Sequence, residues 1–324
     1  MNDNCFNCND RHFANPEITG LVRQKMADKG YAFQMVPIER LEDLRRDVEN
    51  LKNSSYFNNI IDTIITDFYN FSLPDVPFKI NSIIIAASPS PMVRINFNWK
   101  KKKVPVLLPP TYMDGFEKSV EIENLLKDVL KPHNFNVVSV HSLPKKLLGV
   151  RSGLSVYGRN NISYIDGMGS FANLSTYYSD ITCTEDNWHE IRQMDSCGNC
   201  GTCLDKCPTS AITSERYLYR VERCLAYHNE FTGLCDFPQW MDPKSHNCIV
   251  GCLRCQVCCP KNKEFLNNVK EFDEFSYEET MLLLEGRKFD EVTPSLAQKI
   301  KRLNLVGYFD LLPRNLKALL DKEA

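Results

Sequence analysis

This sequence predicts an α+β fold: an α/β domain, then a ferredoxin-like domain with room for two iron–sulfur clusters, then a short helical tail. Three observations carry that expectation. Two cysteine runs face each other in the C-terminal half, Cys197, Cys200, Cys203, Cys207-Pro208 and Cys252, Cys255, Cys258, Cys259-Pro260. Well ahead of them lies a continuous apolar run, Ile83-Ile84-Ile85, of the kind that suits a strand buried on both faces. Apolar residues at three-to-four spacing flank that run on either side and mark amphipathic helices.

In chain order, Pro16 to Lys29, Ile38 to Leu51 and Asn58 to Phe71 read as helices, the last ended by Pro74 and Pro77, so residues 1–75 are expected to be mostly helical. Ile80 to Ala87 reads as the first strong strand, and Val104 to Leu108 as a second, stopped by Pro109-Pro110. Phe116 to Leu130 is a helix, Asn136 to Val140 a strand and Leu143 to Val150 a helix. Residues 151–182 carry Gly153, Gly158, Gly167 and Gly169, and are expected to mix loops and strands around a pocket, because glycine lets the backbone approach a ligand. The tail, residues 264–324, reads as helical. Ser276 and Glu279 form a capping box before the helix Tyr277 to Glu285, and Thr293 with Pro294 opens another. The expected domains are 1–182, 183–263 and 264–324.

The 324 residues are 43% hydrophobic, enough for a real core. Net charge is −2, from 39 basic and 41 acidic residues, so no global basic field draws the chain to nucleic acid, which is not an expected partner. The dense basic run Lys100 to Lys103 reads as a solvated loop. No apolar stretch is long enough to cross a membrane, and the start, Met-Asn-Asp-Asn-Cys, lacks the pattern of a signal peptide. With 14 cysteines and no export signal, the expected setting is the cytoplasm of an anaerobic or oxygen-poor cell.

The first run has the C-x2-C-x2-C-x3-C-P spacing of ferredoxins that carry two [4Fe-4S] clusters. Three close cysteines wrap three corners of a cubane, and the fourth is carried to the other cluster by the turn at the proline. Two such runs complete each other. Cys197, Cys200, Cys203 and Cys259 are assigned to the first cluster, and Cys252, Cys255 and Cys207 to the second. For the eighth ligand Cys224, Cys235 and Cys248 compete. Zinc also uses C-x2-C pairs, but needs neither the third cysteine two residues on nor a Cys-Pro ending in both runs. Cys5-Phe-Asn-Cys8 is a further pair, read as incidental. Trp188 and His189 precede the first run and are expected to shield a cluster.

Several stretches together resemble the epoxyqueuosine reductase family, which is related to reductive dehalogenases: Cys197 to Pro208, Arg223-Cys224, Gly251-Cys252 to Pro260, Arg151 to Asn161, Gly169-Ser170-Phe171 and Leu312 to Leu316. The resemblance implies that Cys224 is the eighth ligand and that Cys258 is a spacer. It also implies a nitroreductase-like domain of the cobalamin-processing type, with base-off cobalamin close to one cluster. Gly153, Tyr157, Gly158, Arg159 and Asn160 fall where the family has its corrinoid segment. The family's acidic proton donor sits in an Asp-x-x-Pro stretch. Here that stretch is Ser139-Val-His-Ser-Leu-Pro144, and His141 is its one group able to donate a proton near neutral pH. Tyr164 and Asp166 are further candidates.

The function expected is an iron–sulfur oxidoreductase passing electrons through two [4Fe-4S] clusters to cobalamin, for reduction of a small organic substrate. A low-potential donor such as ferredoxin or flavodoxin would feed it. The alternative is an electron-transfer or reductive-activation protein serving a partner such as a corrinoid protein. Epoxyqueuosine reduction in tRNA is the third reading.

Overall fold

The computed structural model describes residues 16–113, 115–215, 218–230 and 236–322. Cys5, Cys8 and Cys235 lie outside the described residues. Along the chain the main elements are α1 (Pro16–Asp28), β1 (Ala32–Pro37), α2 (Arg40–Lys52), α3 (Asn59–Phe68), β2 (Ser82–Pro89), β3 (Met92–Trp99), β4 (Lys102–Leu108), α4 (Gly115–Leu130), β5 (Val137–Val140), α5 (Lys145–Arg151), β6 (Val156–Tyr157), β7 (Ser163–Tyr164) and β8 (Ala172–Ser179). The cysteine-rich region adds three short helices, α6 (Thr202–Asp205), α7 (Leu225–Glu230) and α8 (Arg254–Val257). The tail holds β9 (Val269–Phe275), α9 (Tyr277–Leu284), α10 (Pro294–Arg302) and α11 (Leu312–Leu320).

The apolar run sits where its pattern requires. Strand β2 is central in a four-stranded antiparallel sheet of order β1-β2-β8-β5. Side chains alternate across a strand, and here both faces are covered. Ile84 and Tyr177 pack with Val22 and Met26 of α1 and Ile122 and Leu126 of α4. Ile83, Ile85 and Tyr178 pack with Leu44 of α2 and Leu148 of α5. The Arg151 guanidinium grips both carboxylate oxygens of Asp47 at 2.7 Å and ties α5 to α2. The Tyr177 hydroxyl, fully buried, donates to the Ser119 carbonyl at 2.7 Å.

A second, smaller sheet of order β4-β3-β9 carries the tail. Hairpin β3–β4 turns at Lys100 and Lys101, both at positive φ, so the basic run is a hairpin tip. Strand β9 pairs with β3 in parallel. Val93, Ile95 and Phe97 of β3 share one core with Phe275, Leu283, Ile300 and Leu316. The Phe97 and Phe275 rings stack with centroids 4.7 Å apart.

Three strands depart from the sequence expectation. Strand β1 interrupts the helical stretch ahead of residue 75. Strand β3 alternates Val93-Arg-Ile-Asn-Phe97, a period-two signal that the adjacent proline-rich turns obscured. The tail, expected to be helical, opens with β9. Its apolar residues, Val269, Phe272 and Phe275, recur every third position as in a helix, and pairing with β3 decides the matter instead. The caps follow the sequence. Ser276 accepts from the Glu279 amide at 3.2 Å while the Glu279 carboxylate accepts from the Ser276 amide at 2.9 Å. Thr293 accepts from the Leu296 amide at 3.3 Å.

Phe275→Ala removes the ring joining the tail to the hairpin, and a buried Phe→Ala costs about 3–5 kcal/mol. Urea unfolding of the purified chain is expected to show a loss of that size; a change of less than about 1 kcal/mol would mean the tail is not held by this stack.

Candidate iron–sulfur centre

The two cysteine runs cross. Cys197, Cys200, Cys203 and the distant Cys259 line one small cavity with Gly158, Arg159, Asn160, Tyr164 and Met194. Cys252, Cys255, Cys207 and Cys224 line a second with Tyr219, Ala226 and Gln256. Each run therefore gives its last cysteine, the one before proline, to the other run's cage. Burial pushes the Cys203 thiol up to about 11, and the neighbouring thiols Cys258, Cys197, Cys259 and Cys200 push the same way. Cys255 is raised well above its ordinary value by burial, then by Cys252, Cys224, Cys203 and Cys207. Thiols that oppose one another's ionisation at such close quarters suit a cationic iron core, which relieves the repulsion.

Cys224 joins the second cage through two local devices. The Arg223 guanidinium donates to the Thr209 carbonyl at 2.7 Å, two residues past Cys207, which draws the Arg-Cys pair onto the Cys207 loop. The amides of Ala226 and Tyr227, at the start of α7, point at the Cys224 sulfur and partly offset the burial that lifts its thiol to about 11. Cys248 does not reach either cage; it packs against Met92, Phe171 and Leu253. Cys258 lines neither cavity, in keeping with a spacer.

The tail braces the second cage. Asn315, fully buried on α11, donates to the Ile249 carbonyl at 2.9 Å and the Asn229 carbonyl at 3.2 Å. Arg314 donates to the His228 carbonyl at 2.8 Å, and Asn229 to the Gly251 carbonyl at 2.7 Å. Gly251, at φ +71°, has the Tyr112 hydroxyl 2.6 Å from where a Cβ would lie, so only glycine fits immediately before Cys252. Tyr112 donates to Glu230, whose carboxyl burial raises to about 7 despite that bond and the nearby Lys146.

The segment expected to hold a corrinoid is committed elsewhere. Arg159 donates to the Cys197 carbonyl at 2.5 Å and to the Gly198 carbonyl at 3.4 Å. Asn160 donates to the Tyr164 hydroxyl at 3.0 Å and the Cys255 carbonyl at 3.2 Å, and so stands between the two cages. At Gly158 a Cβ would meet Asn160 at 2.5 Å and Tyr164 at 2.6 Å. Gly153, at φ +76°, packs against the His189 ring. Tyr157 lines a separate apolar cavity of 370 Å³ with Leu51, Ile61 and Tyr69. Gly158, Arg159 and Asn160 line the first cage, Asn160 the second as well, and Gly153 and Tyr157 line neither. Trp188 lies between the Arg40 and Arg151 guanidiniums, and neither it nor His189 lines a cage. Tyr164 is buried beside Cys259 at the first cage, and Asp166 faces a different surface cavity.

His141, just past β5, lines a cavity of 540 Å³ with Phe116, Lys145, Lys146, Ser163, Ser170, Asn173 and Gln256. Its ring centroid is 6.0 Å from that of Phe116. Gln256 and Ile162 line both this cavity and the second cage, so the two share a wall. Ser170 donates to the Gln256 side chain at 2.9 Å and accepts from Asn262 at 2.7 Å, which fixes that wall. The hydroxyls and amides of Ser163, Ser170, Asn173 and Gln256 give this cavity a hydrogen-bonding wall against the second cage. Gln256, Asn262, Lys145 and Lys146 escaped the sequence reading. The last two directly follow the His141 stretch, and their side-by-side position after Pro144 was the available signal.

A family model for a 4Fe-4S double cluster binding domain matches residues 196–262. An epoxyqueuosine reductase of Atelocyanobacterium thalassa is 31% identical over 137 residues, 42% of this chain and 43% of its own. That of Bacillus subtilis is 28% identical over 145 residues, 43% of this chain and 36% of its own. Over the matched stretch the chain is similar to the epoxyqueuosine reductases. It matches less than half the length of those two proteins. The fold is shared more widely. The epoxyqueuosine reductase structure from Streptococcus thermophilus superposes with a TM-score of 0.61 at 17% identity, covering 95% of this chain and 82% of the other. An epoxyqueuosine reductase solved with an epoxyqueuosine-modified tRNA-Tyr stem loop gives 0.60 at 20%, covering 95% and 80%. The named relatives overturn the small organic substrate as the leading expectation. The expectation that nucleic acid is no partner rested on overall charge, which does not report on a local site. No helix among the described residues is long and apolar enough to cross a membrane.

Anaerobic reconstitution is expected to load about eight irons per chain, two cubanes. Cys224→Ala should lower this to about four and Cys248→Ala should leave it unchanged. Iron analysis with EPR of the reduced protein checks both, and the reverse pattern would move the eighth ligand to Cys248.

Proposed function

We propose that this chain is an iron–sulfur reductase of the epoxyqueuosine type, acting on the epoxide of a modified nucleoside in tRNA, with cobalamin as its expected cofactor and the cavity beside His141 as the place where substrate enters. The likeness over 137 residues to a protein named for that reaction supports this reading. The wall shared by the second cage and the His141 cavity carries the mechanism. When bound, the clusters supply single electrons and cobalamin supplies a cobalt centre that takes them up at the substrate.

The residues divide the remaining work. Cys200, little enclosed, stands on the side where a ferredoxin- or flavodoxin-type donor would meet the chain. Asn160 holds the two cages in fixed relation, and Gln256 holds the second cage to the reaction cavity. Converting an epoxide to an alkene consumes two electrons and two protons and releases water. His141 is placed to deliver a proton to the departing oxygen. Burial lowers its pKa below the ordinary imidazole value, Lys145 adds to this and Glu123 opposes it. A donor with a lowered pKa is mostly neutral at pH 7, so its protonated fraction grows as the pH falls.

The test is turnover by cluster-loaded protein with cob(II)alamin, a low-potential reductant and an epoxyqueuosine-bearing stem loop, read as loss of one oxygen from the RNA by mass spectrometry. No loss of oxygen with clusters and cobalamin both bound would sink the reading. Turnover is expected to rise from pH 8 toward pH 6. His141→Gln should lower it about 100-fold and flatten that rise; an unchanged rate and profile would remove His141 as donor.

A further inference from the structure

We propose that the cavity beside His141 is an anion-recognition pocket, in which Lys145 and Lys146 hold a phosphate or carboxylate group of the molecule the protein acts on. The inference rests on that cavity being the reaction site, and it concerns the charge of what enters.

Lys145 and Lys146 occupy the first turn of α5, directly after Pro144. Helix α5 is only seven residues long, and no acidic residue stands in its first turn. Both side chains line the same cavity, with His141 beside them. Lys146 is exposed and lines both this cavity and the apolar one beside Tyr157. It donates to the Asn161 carbonyl at 3.4 Å.

Charges held inside a protein are paired, and here the pairing is incomplete. Among the described residues no carboxylate forms an ion pair with either lysine, and none lines the cavity. The neighbouring carboxylates are engaged. Glu123 pairs with Lys127 and accepts from Ser139, while Glu230 accepts from Tyr112 and also attracts Lys146. Lys146 also lies toward Cys224 and Cys255 and can answer the charge of the second cage. Lys145 has no such partner, and burial is the one influence lowering its pKa. Asp114, ahead of α4, lies outside the described residues. Around the lysines stand Ser163, Ser170 and Asn173, whose hydroxyls and amide can complete the shell of a bound oxyanion.

Two sources share this chemistry: the phosphodiester backbone of an RNA substrate and a small free anion. The test is calorimetric titration of the full, cluster-loaded chain with inorganic phosphate and with malonate at low ionic strength. Saturable binding is expected, weakened at least about tenfold by Lys145→Gln and further by Lys145→Gln combined with Lys146→Gln, with iron content and circular dichroism retained. Lys145→Arg should keep it. Displacement of a labelled stem-loop RNA by phosphate assigns the anion to the RNA backbone; phosphate binding without displacement assigns it to a small ligand. No binding of either probe by the wild-type chain, or equal binding by wild type and a folded double variant, overturns the proposal. Oxygen loss from the stem loop by a chain that binds neither probe would leave the proposed reaction standing and remove only the pocket. Anion binding without that oxygen loss would do the opposite.

Discussion

The exchange of one cysteine between two runs is the constraint on which this structure depends. A single loop supplies three corners of a cubane, and the fourth corner must come from elsewhere. Because Cys207 and Cys259 each cross to the other cage, neither site can be completed alone. The two loops are therefore locked in one relative placement, and whatever holds one loop holds both. Asn160 stands at the crossing, bonded to Tyr164 on one side and to the Cys255 carbonyl on the other. A short polar side chain in that position links the cages directly, without a mobile connection between them.

The rest of the chain serves this placement from two directions. From the N-terminal side, the sandwich around β2 presents β6, β7 and the 151–165 segment as a rigid wall behind the first cage. From the C-terminal side, α11 reaches back through Arg314 and Asn315 to the carbonyls around Cys224 and Cys252. That helix is held in turn by the β4-β3-β9 sheet, whose hairpin comes from residues 92–108. The tail is thus structurally continuous with the middle of the chain. Its packing on the hairpin is coupled to the geometry of the second cage.

Between these supports lies the cavity proposed as the reaction site. His141, Lys145 and Lys146 line it together, and no carboxylate among the described residues does. On the proposed reading, that lining bears on how a proton is supplied and on the charge of what enters.

The cysteine spacing by itself determined the cages, because cluster geometry is set by few residues close in sequence and the Cys-Pro endings announce the exchange. It also determined the central strand, since Ile83-Ile84-Ile85 can be satisfied only between two apolar layers, and the helix starts at Ser276 and Thr293, whose caps are local. The eighth thiol was open among three cysteines; Cys224 is distinguished from Cys248 only by long-range contacts, Arg223 with Thr209 against Cys248 with Met92 and Phe171. Strand β9 was hidden for the same reason, as its three-residue apolar spacing imitates a helix until β3 is beside it. The glycines at 153 and 158 make their close approaches to His189, Asn160 and Tyr164 of the same chain, while Ser163, Ser170 and Asn173 of that segment line the His141 cavity. Tertiary structure alone decided which cavity adjoins the second cage and that Lys145 and Lys146 face it together, because a sequence does not show which polar groups are left without partners once the chain has closed around them.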